Sequence, residues 1–406
     1  MNKKKIFNDP VYGFVSIPYP ILFDLIEHPY FQRLRRIKQV GLTHYVYPGA
    51  LHTRFHHALG ALHLMTQAID VLRSKGTKIT EEEAVAVSIA ILLHDIGHGP
   101  FSHALEHTLV NVHHESLSLL FMESLNETFD GQLDVCIQIF KDQYPKKFLY
   151  QLVSGQLDMD RMDYLNRDSF FTGVSEGVIG YDRIIKMLAV HDGELVVEEK
   201  GIYSIEKFLI ARRLMYWQVY LHKTSLVAEQ MLIRTLKRAK FLANKEVELE
   251  VSPNLAHFLY NDFKMLDFKD AKADLLGKYA KLDDVDVFAG LKRFAESPKD
   301  KVLSMLSRSI VDRRLFKIEL SKNPFDGDHL EKVRLKVGNA LELDQQELNY
   351  VVFHGKESNS AYSTLKDEIK IQYKNGHILP MSEASDYGLH PKIITKHFLC
   401  YPKNIK

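Results

Sequence analysis

The sequence predicts a mainly α fold: a helical core over residues 1–245 and a smaller α+β lobe over 246–406, with a soft boundary between 245 and 310. Three observations predict it. Apolar residues recur at helical spacing through most of the first 245 positions. The run "AVAVSIAILL", residues 84–93, is apolar enough for a fully buried helix. Beyond about residue 310, charged segments that read as strands surround a helical pattern near 328–341.

The elements follow in order. "IFNDPVYGFVSIP", from Ile6, reads as a strand or turn. A helix starts near Arg54 in "RFHHALG". Thr80 followed by Glu83 is a capping box, in which each side chain bonds the other residue's backbone amide, so a helix begins there. Gly97 and Gly99-Pro100 stop that helix directly after His94-Asp95, which places the pair on its last turn. "DGELVVEEKGIYSI", from Asp192, alternates as a short hairpin does. Residues 205–243 contain no Gly or Pro and read as one long helix. In the smaller lobe, "RRLFKIEL" and "HILPMSEASD" read as strands.

The formal charge of +1 over 406 residues gives the whole molecule no strong pull toward nucleic acid or membranes. Any attraction for phosphate therefore comes from a local basic cluster. The two cysteines, Cys136 and Cys400, are far apart and suit a reducing compartment rather than a disulfide scaffold. The lysines of "MNKKKIFNDP" precede no apolar secretory segment, and no run of about 18 apolar residues offers a membrane span. The expectation is a cytoplasmic protein.

Histidine is the informative residue type: ten of the 20 fall between His52 and His114. Buried imidazoles and carboxylates are costly unless a metal ion, a hydrogen-bond network or an open cleft satisfies them. His57, His94, Asp95 and Asp160 form a mixed nitrogen and oxygen set that suits Mn, Fe, Zn or Mg; spacing alone leaves satisfied core polar groups as the alternative. Arg54 lies three residues before His57, hence on the same helical side, Arg161 adjoins Asp160, and Arg212 sits on the long helix. Their planar forks suit phosphate, whereas a lone Arg is ordinarily a solvated one. Asp160, Tyr164 and Asp168 share one helix face. Arg212, Tyr216, Tyr220 and Lys223 share another, for which plain packing is an alternative reading.

"RFHHALG", "HDIGHGPFSH", "HHES" and "DMDRMDYLNRD" occur in the order and approximate spacing of the HD-domain phosphohydrolases. With "PYFQRLRRIKQVGLTHYVYPGALHTRFHHALG", they resemble in particular the SAM-and-HD-domain deoxynucleoside triphosphate triphosphohydrolases and their bacterial relatives, over roughly residues 6–240 and without room for a SAM domain. The resemblance implies an HD-domain helical core and metal ligation by His57, His94, Asp95 and Asp160. It implies a catalytic histidine at His98, with Glu106 and His114 beside it and His103 aimed at the phosphate cleft. The family has Asp where this chain has Glu106, so the charge is kept and the reach is longer. Arg54, Arg161 and Arg212 take phosphate positions, with a lysine common in relatives at Arg161. Tyr164 would crowd the sugar C2′, Asp168 and Gln39 would contact the 3′-hydroxyl, Val40 would lie under the sugar, and Tyr220 would stack on the base.

The implied reaction is hydrolysis of a deoxynucleotide substrate, dNTP and water giving deoxynucleoside and triphosphate, with a divalent metal as cofactor. The resemblance also implies a homo-oligomer, dimer or tetramer, with a nucleotide activator bound through Glu27, Gln32 and Arg35; an amphipathic helix with a charged outer face is the alternative for those three. Glu27 replaces a usual Asp. Competing activities are another HD reaction, a 5′-nucleotidase or nucleotide phosphodiesterase, and a nucleotide-binding sensor without turnover.

Overall fold

Two helices that carry the histidine motifs form the centre of the fold: Arg54–Ser74 (α1) and Glu81–Leu93 (α2), which pack on one another. The structure is a computed structural model and describes residues 5–101, 106, 108–270, 272–359, 362, 367–386 and 393–403. α2 begins as its sequence requires. Thr80 N–H donates to Glu83 Oε2 at 2.8 Å and Glu83 N–H donates to Thr80 Oγ1 at 3.1 Å. Its apolar run is buried at every residue from 84 to 93 except Val85, and His94 closes it as the C-cap.

Helix His114–Thr128 (α3) follows, then Met159–Thr172 (α4), which packs along α1. The close approach of α1 and α4 depends on Gly60. A methyl group there would fall within 2.8 Å of Asp163 Cγ and closer still to the ends of Asp163 and Arg167. Arg167, fully buried, also donates to Asp9 Oδ2 at 2.7 Å, and so ties the N-terminal hairpin of Ile6–Asp9 (β1) and Gly13–Ser16 (β2) to α4. The strand-or-turn expectation for that stretch thus resolves as an antiparallel hairpin.

The hairpin expected within residues 192–205 is only half there: Glu194–Glu198 (β4) pairs back with Leu188–His191 (β3) across a turn of Asp192 at φ 49° and Gly193 at φ 78°, whereas Glu199–Gly201 is a tight helical turn and Ile202 begins a helix. The single long helix expected over 205–243 is not. Ile202–Met215 (α5) runs into a π turn at Tyr216–Tyr220, the chain breaks at Leu221-His222, and Lys223–Ala243 (α6) starts afresh. Leu221 N–H donates to Tyr216 O at 2.7 Å, the wide π spacing, and the His222 ring caps α6 by accepting from Thr224 N–H at 3.2 Å. A segment free of Gly and Pro permits a helix but does not enforce one. Here side-chain capping and the burial of Val219 and Met215 favour the break.

Beyond residue 245 the chain is helical through Asp284–Glu296 (α7) and Lys301–Val311 (α8), which pack together. Two sheets follow. Lys317–Ser321 (β5), Phe353–Asn359 (β6) and Ile394–Tyr401 (β9) form an antiparallel sheet in the order β5-β9-β6. Lys370–Gln372 (β7) pairs in parallel with β4 and antiparallel with Ile378–Pro380 (β8), so this segment extends the sheet begun by β3 and β4. "HILPMSEASD" is a strand only through Pro380, after which Met381–Ala384 turns into a helix. Pro380 has no N–H with which to continue the ladder, and the buried Met381 bonds back to Ile369 O at 2.7 Å. The helix expected at 328–341 is Gly327–Leu341. The molecule is mainly helical, as expected, and its buried apolar side chains form one cluster from Val15 to Cys400. Among the described residues no helix is long and apolar enough to cross a membrane.

Candidate active site

α1 contributes His57, the C-terminal end of α2 contributes His94 and Asp95, and the first turn of α4 contributes Asp160. Their ligating atoms converge. His57 Nε2 lies 3.1 Å from Asp160 Oδ1, 3.4 Å from His94 Nε2 and 3.8 Å from Asp95 Oδ2. His94 Nε2 lies 3.5 Å from Asp160 Oδ1 and 3.5 Å from Asp95 Oδ1. Ligands about 2.0–2.2 Å from a common ion stand roughly 3–4 Å apart, so one atom each of His57, His94 and Asp160 fits a single divalent cation, while Asp95 turns one oxygen to His57 and the other to His94 and groups with His98 and His114.

The opposite nitrogens of both rings are already fixed. His57 Nδ1 meets Asp163 Oδ2 at 2.7 Å and His94 Nδ1 meets Ile91 O at 2.6 Å, which turns both Nε2 atoms into the cluster. Asp163 in turn accepts two bonds of 2.9 Å from Arg167. Burial alone would lower the His57 pKa, yet Asp160 and Asp163 push it up to about 10. Asp160 is half-buried; desolvation opposes its ionised form, yet His57 and His94 hold its carboxyl well below the usual range. Burial likewise opposes the ionised form of Asp95, which His94 and Arg54 keep low. The donor set therefore stabilises positive charge at its centre, as a site for a divalent metal ion does.

A second cluster adjoins it. The His98 and His114 rings lie 3.9 Å apart between centroids at a 33° tilt, and His98 Nδ1 is 3.4 Å from Asp95 Oδ1. Glu106 Oε1 accepts from the His114 backbone N–H at 2.9 Å and meets its Nδ1 at 3.0 Å. The longer reach of Glu at this position thus still closes the pair. His103 lies outside the described residues. Buried Arg33 holds the loop beneath these rings through Ile96 O at 2.8 Å and His98 O at 2.7 Å. Gly97 lets that loop press against α3, since an added methyl would lie 2.8 Å from Leu117 C.

Both clusters open into a cavity of about 350 Å³. Arg54, Arg161 and Arg212 line it, as do Gln39, Val40, Tyr164, Asp168 and Tyr220. The structure therefore brings together every substrate-contact residue named from the sequence. Their states differ from simple expectation. Arg54 is already paired with Asp95, and Arg161 with Asp158 and with Gly155 O at 2.6 Å. Arg212 Nε is buried without a protein partner. Asp168 accepts from Tyr220 OH at 2.6 Å and meets His52 Nε2 at 2.6 Å, so both oxygens are engaged. Tyr216 and Tyr164 stand edge-on to Tyr220 at 5.2 and 6.1 Å. Lys223, expected on the same face as the tyrosines, is exposed beyond the break. Glu27, Gln32 and Arg35 lie away from the cavity wall. Arg35 Nε donates to Gln32 Oε1 at 2.9 Å and its guanidinium lies 3.6 Å over the Phe55 ring, while Glu27 is exposed.

Sequence reasoning missed Asp163, Arg167, Asp9, His52 and Gly60. Asp163 had a signal, standing three residues after Asp160 in "DMDRMDYLNRD" and hence near its face of α4. His52 and Asp9 carried none.

Comparison with known proteins bears on this geometry. The HD domain family matches residues 54–167, and the HD associated region matches residues 179–252. A crystal structure of a phosphohydrolase from Bacteroides thetaiotaomicron is similar with a TM-score of 0.95 and 54% sequence identity, covering 99% of this chain and 100% of that one. The uncharacterized protein YwfO of Bacillus subtilis is 30% identical over 423 residues, covering 100% of this chain and 94% of the relative. The deoxynucleoside triphosphate triphosphohydrolase SAMHD1 homolog of Dictyostelium discoideum is 34% identical over 248 residues, covering 56% of this chain and 48% of that protein.

Proposed function

Because the chain belongs to the HD-domain family and is a metal-dependent phosphohydrolase, we propose that its substrate is a deoxynucleoside triphosphate, hydrolysed to a deoxynucleoside and inorganic triphosphate. The observation that carries this reading is one cavity of about 350 Å³ lined by Arg54, Arg161 and Arg212 together with Asp95, Asp160 and Tyr164. That volume falls within the ordinary range for nucleotide-sized ligands.

His57, His94, Asp95 and Asp160 would hold the divalent ion, Mn, Mg, Fe or Zn. When bound, such an ion supplies Lewis-acid polarisation of a phosphoryl oxygen and of the attacking water. The three arginines would neutralise the phosphate tail, and the buried Nε atoms of Arg161 and Arg212 both still lack an acceptor. His98, packed against His114, would deliver a proton to the departing 5′ oxygen, while Glu106 orients the His114 ring. Tyr164 would exclude a 2′-hydroxyl by contact, Val40 and Gln39 would flank the sugar, and Asp168 would receive its 3′-hydroxyl on a remaining lone pair. Tyr220, fixed by Asp168, would present its ring to the base.

The pairing of Arg54 with Asp95 and of Arg161 with Asp158 favours a second reading, because it leaves less uncompensated charge for a triphosphate. A monophosphate or phosphodiester needs fewer cations. Incubating metal-loaded protein with each dNTP, NTP and dNMP and separating the products by anion exchange distinguishes the two. Triphosphate release from dNTPs supports the first reading, and orthophosphate from monophosphates alone replaces it.

We extend the proposal to a homo-oligomeric, cytoplasmic enzyme with a guanine-containing nucleotide activator at Glu27, Gln32 and Arg35. The hydrogen bond from Arg35 Nε to Gln32 Oε1, which sets a guanidinium beside an amide, supports this. Light scattering and dNTP turnover with and without GTP or dGTP test it; unchanged mass and rate at every concentration remove it.

A further inference from the structure

Two loops build the cavity wall beside the metal cluster: residues 39–43, through Gln39, Val40 and Gly41, and residues 98–101, through His98 and Phe101. Neither is regular secondary structure throughout, and something must set their spacing. Asp284, the first residue of α7, is buried between them at 3% exposure. Its Oδ1 accepts the Phe101 N–H at 2.7 Å and its Oδ2 accepts the Lys38 N–H at 2.9 Å.

Both amides sit where the backbone needs holding. Phe101 is a buried, non-glycine residue at φ 54°, a conformation that persists only when surroundings impose it. Lys38 bridges to Thr53, and Gln39 N–H donates to His52 O at 3.0 Å, so this strand-like stretch leads directly into Arg54 and α1. From the same segment of chain, Tyr279 OH donates to Gly97 O at 3.1 Å.

The geometry points to Asp284 as a positioning residue that staples loop 38–43 to loop 98–101 and thereby sets substrate affinity. This rests on the reading that loop 39–43 faces the sugar. The carboxylate ends on backbone amides, so its influence reaches substrate through Gln39, Val40 and Phe101. The charged groups around it are Lys38, whose Nζ is 3.9 Å away, and Asp283, which is itself paired with Arg36. Burial pushes the Asp284 carboxyl up to about 6, against the two amides that stabilise its ionised form. Protonation places a hydrogen on one of the two accepting oxygens and weakens one arm of the staple. α7 does not need Asp284 to start, because Asp283 caps it by accepting from Val285 N–H at 2.9 Å.

The test uses full-length, Mn-loaded protein and the variants Asp284→Ala and Asp284→Asn. Amide exchange at Lys38 and Phe101 is followed by mass spectrometry, and KM and kcat for dATP are measured from pH 5 to 8. Asp284→Ala is expected to speed exchange at both amides by about tenfold or more and to raise KM by about tenfold, with kcat within about threefold of wild type. Asp284→Asn retains one accepting oxygen; its KM is raised at every pH, whereas that of the wild type rises only as pH falls below 6. Unchanged exchange overturns the staple, and faster exchange with unchanged KM overturns its role in binding. Should the alanine variant not fold, the asparagine variant decides by the same two measurements. If wild-type protein releases no triphosphate from dATP, the substrate reading fails alone. Exchange, and the KM for dAMP, which keeps the sugar that loop 39–43 faces, then still judge Asp284.

Discussion

Gly60→Ala sets two physical effects against each other, and the structure decides between them. In an exposed helix interior the change would stabilise by about 1 kcal/mol, because alanine gives up less backbone freedom than glycine. In α1 the new methyl would lie within 2.8 Å of Asp163 Cγ and nearer still to the Asp163 and Arg167 side-chain ends, so both must withdraw. Neither is free to do so. Both are fully buried, bonded to each other twice at 2.9 Å, and Asp163 holds His57 at 2.7 Å. Overpacking of this kind costs about 1–3 kcal/mol, and loss of a charge-assisted hydrogen bond adds about 1.5–3 kcal/mol. The sum exceeds the propensity gain, for a net destabilisation of about 1.5–5 kcal/mol. Metal affinity falls as well, since displacing the partner of a ligating histidine costs about 10–100-fold. Thermal unfolding of the apo protein and titration with Mn²⁺ measure the two effects separately. A variant that melts at or above wild type and binds Mn²⁺ equally well would falsify the account of why α1 and α4 meet at a glycine.

Other outcomes follow from the same geometry. Chelation should abolish hydrolysis and lower the melting temperature, and restoring metal at about 100 times its Kd should recover about 2.7 kcal/mol, read by calorimetry with and without EDTA. The folded pKa of Asp284, about 6, stands above its ordinary 3.8, so the folded state holds the proton more tightly and stability declines as pH rises from 3.8 to 6. Relative to Asp284→Asn, the wild type should lose about 2–3 kcal/mol over that window, measured by urea unfolding at each pH; parallel curves contradict it. Tyr164→Ala should admit ribonucleotides and lower the ratio of kcat/KM for dATP over ATP by about tenfold or more, and an unaltered ratio removes Tyr164 from sugar discrimination.

Much of the architecture was legible because its signals are local. The capping box at Thr80 and Glu83, the apolar run to Leu93 and the glycines after it place His94 and Asp95 at a helix end, and the structure has them there. The hairpin reads one strand too late in the sequence: its turn is Asp192-Gly193, and the alternation after Glu198 belongs to a helix start rather than a second strand. The break at Leu221-His222 was not legible: absence of Gly and Pro is only permission to be helical, and a histidine cap carries little signal beside a serine or aspartate one. It matters for the site, since the π turn sets Tyr220 against Asp168.

By itself the sequence determined the helical class, the caps and turns, and a set of imidazoles, carboxylates and arginines whose spacing suits a metal and a phosphate. Only the tertiary structure decided that Asp163, held by Arg167 and Asp9, steers His57, that Gly60 lets α1 and α4 touch, and that Asp284, from a distant stretch of chain, bonds Lys38 and Phe101. The reason is one of range. Helix periodicity and capping depend on residues three or four positions apart, whereas a buried charge gains its partners only when segments far apart in the chain exclude water from the space between them.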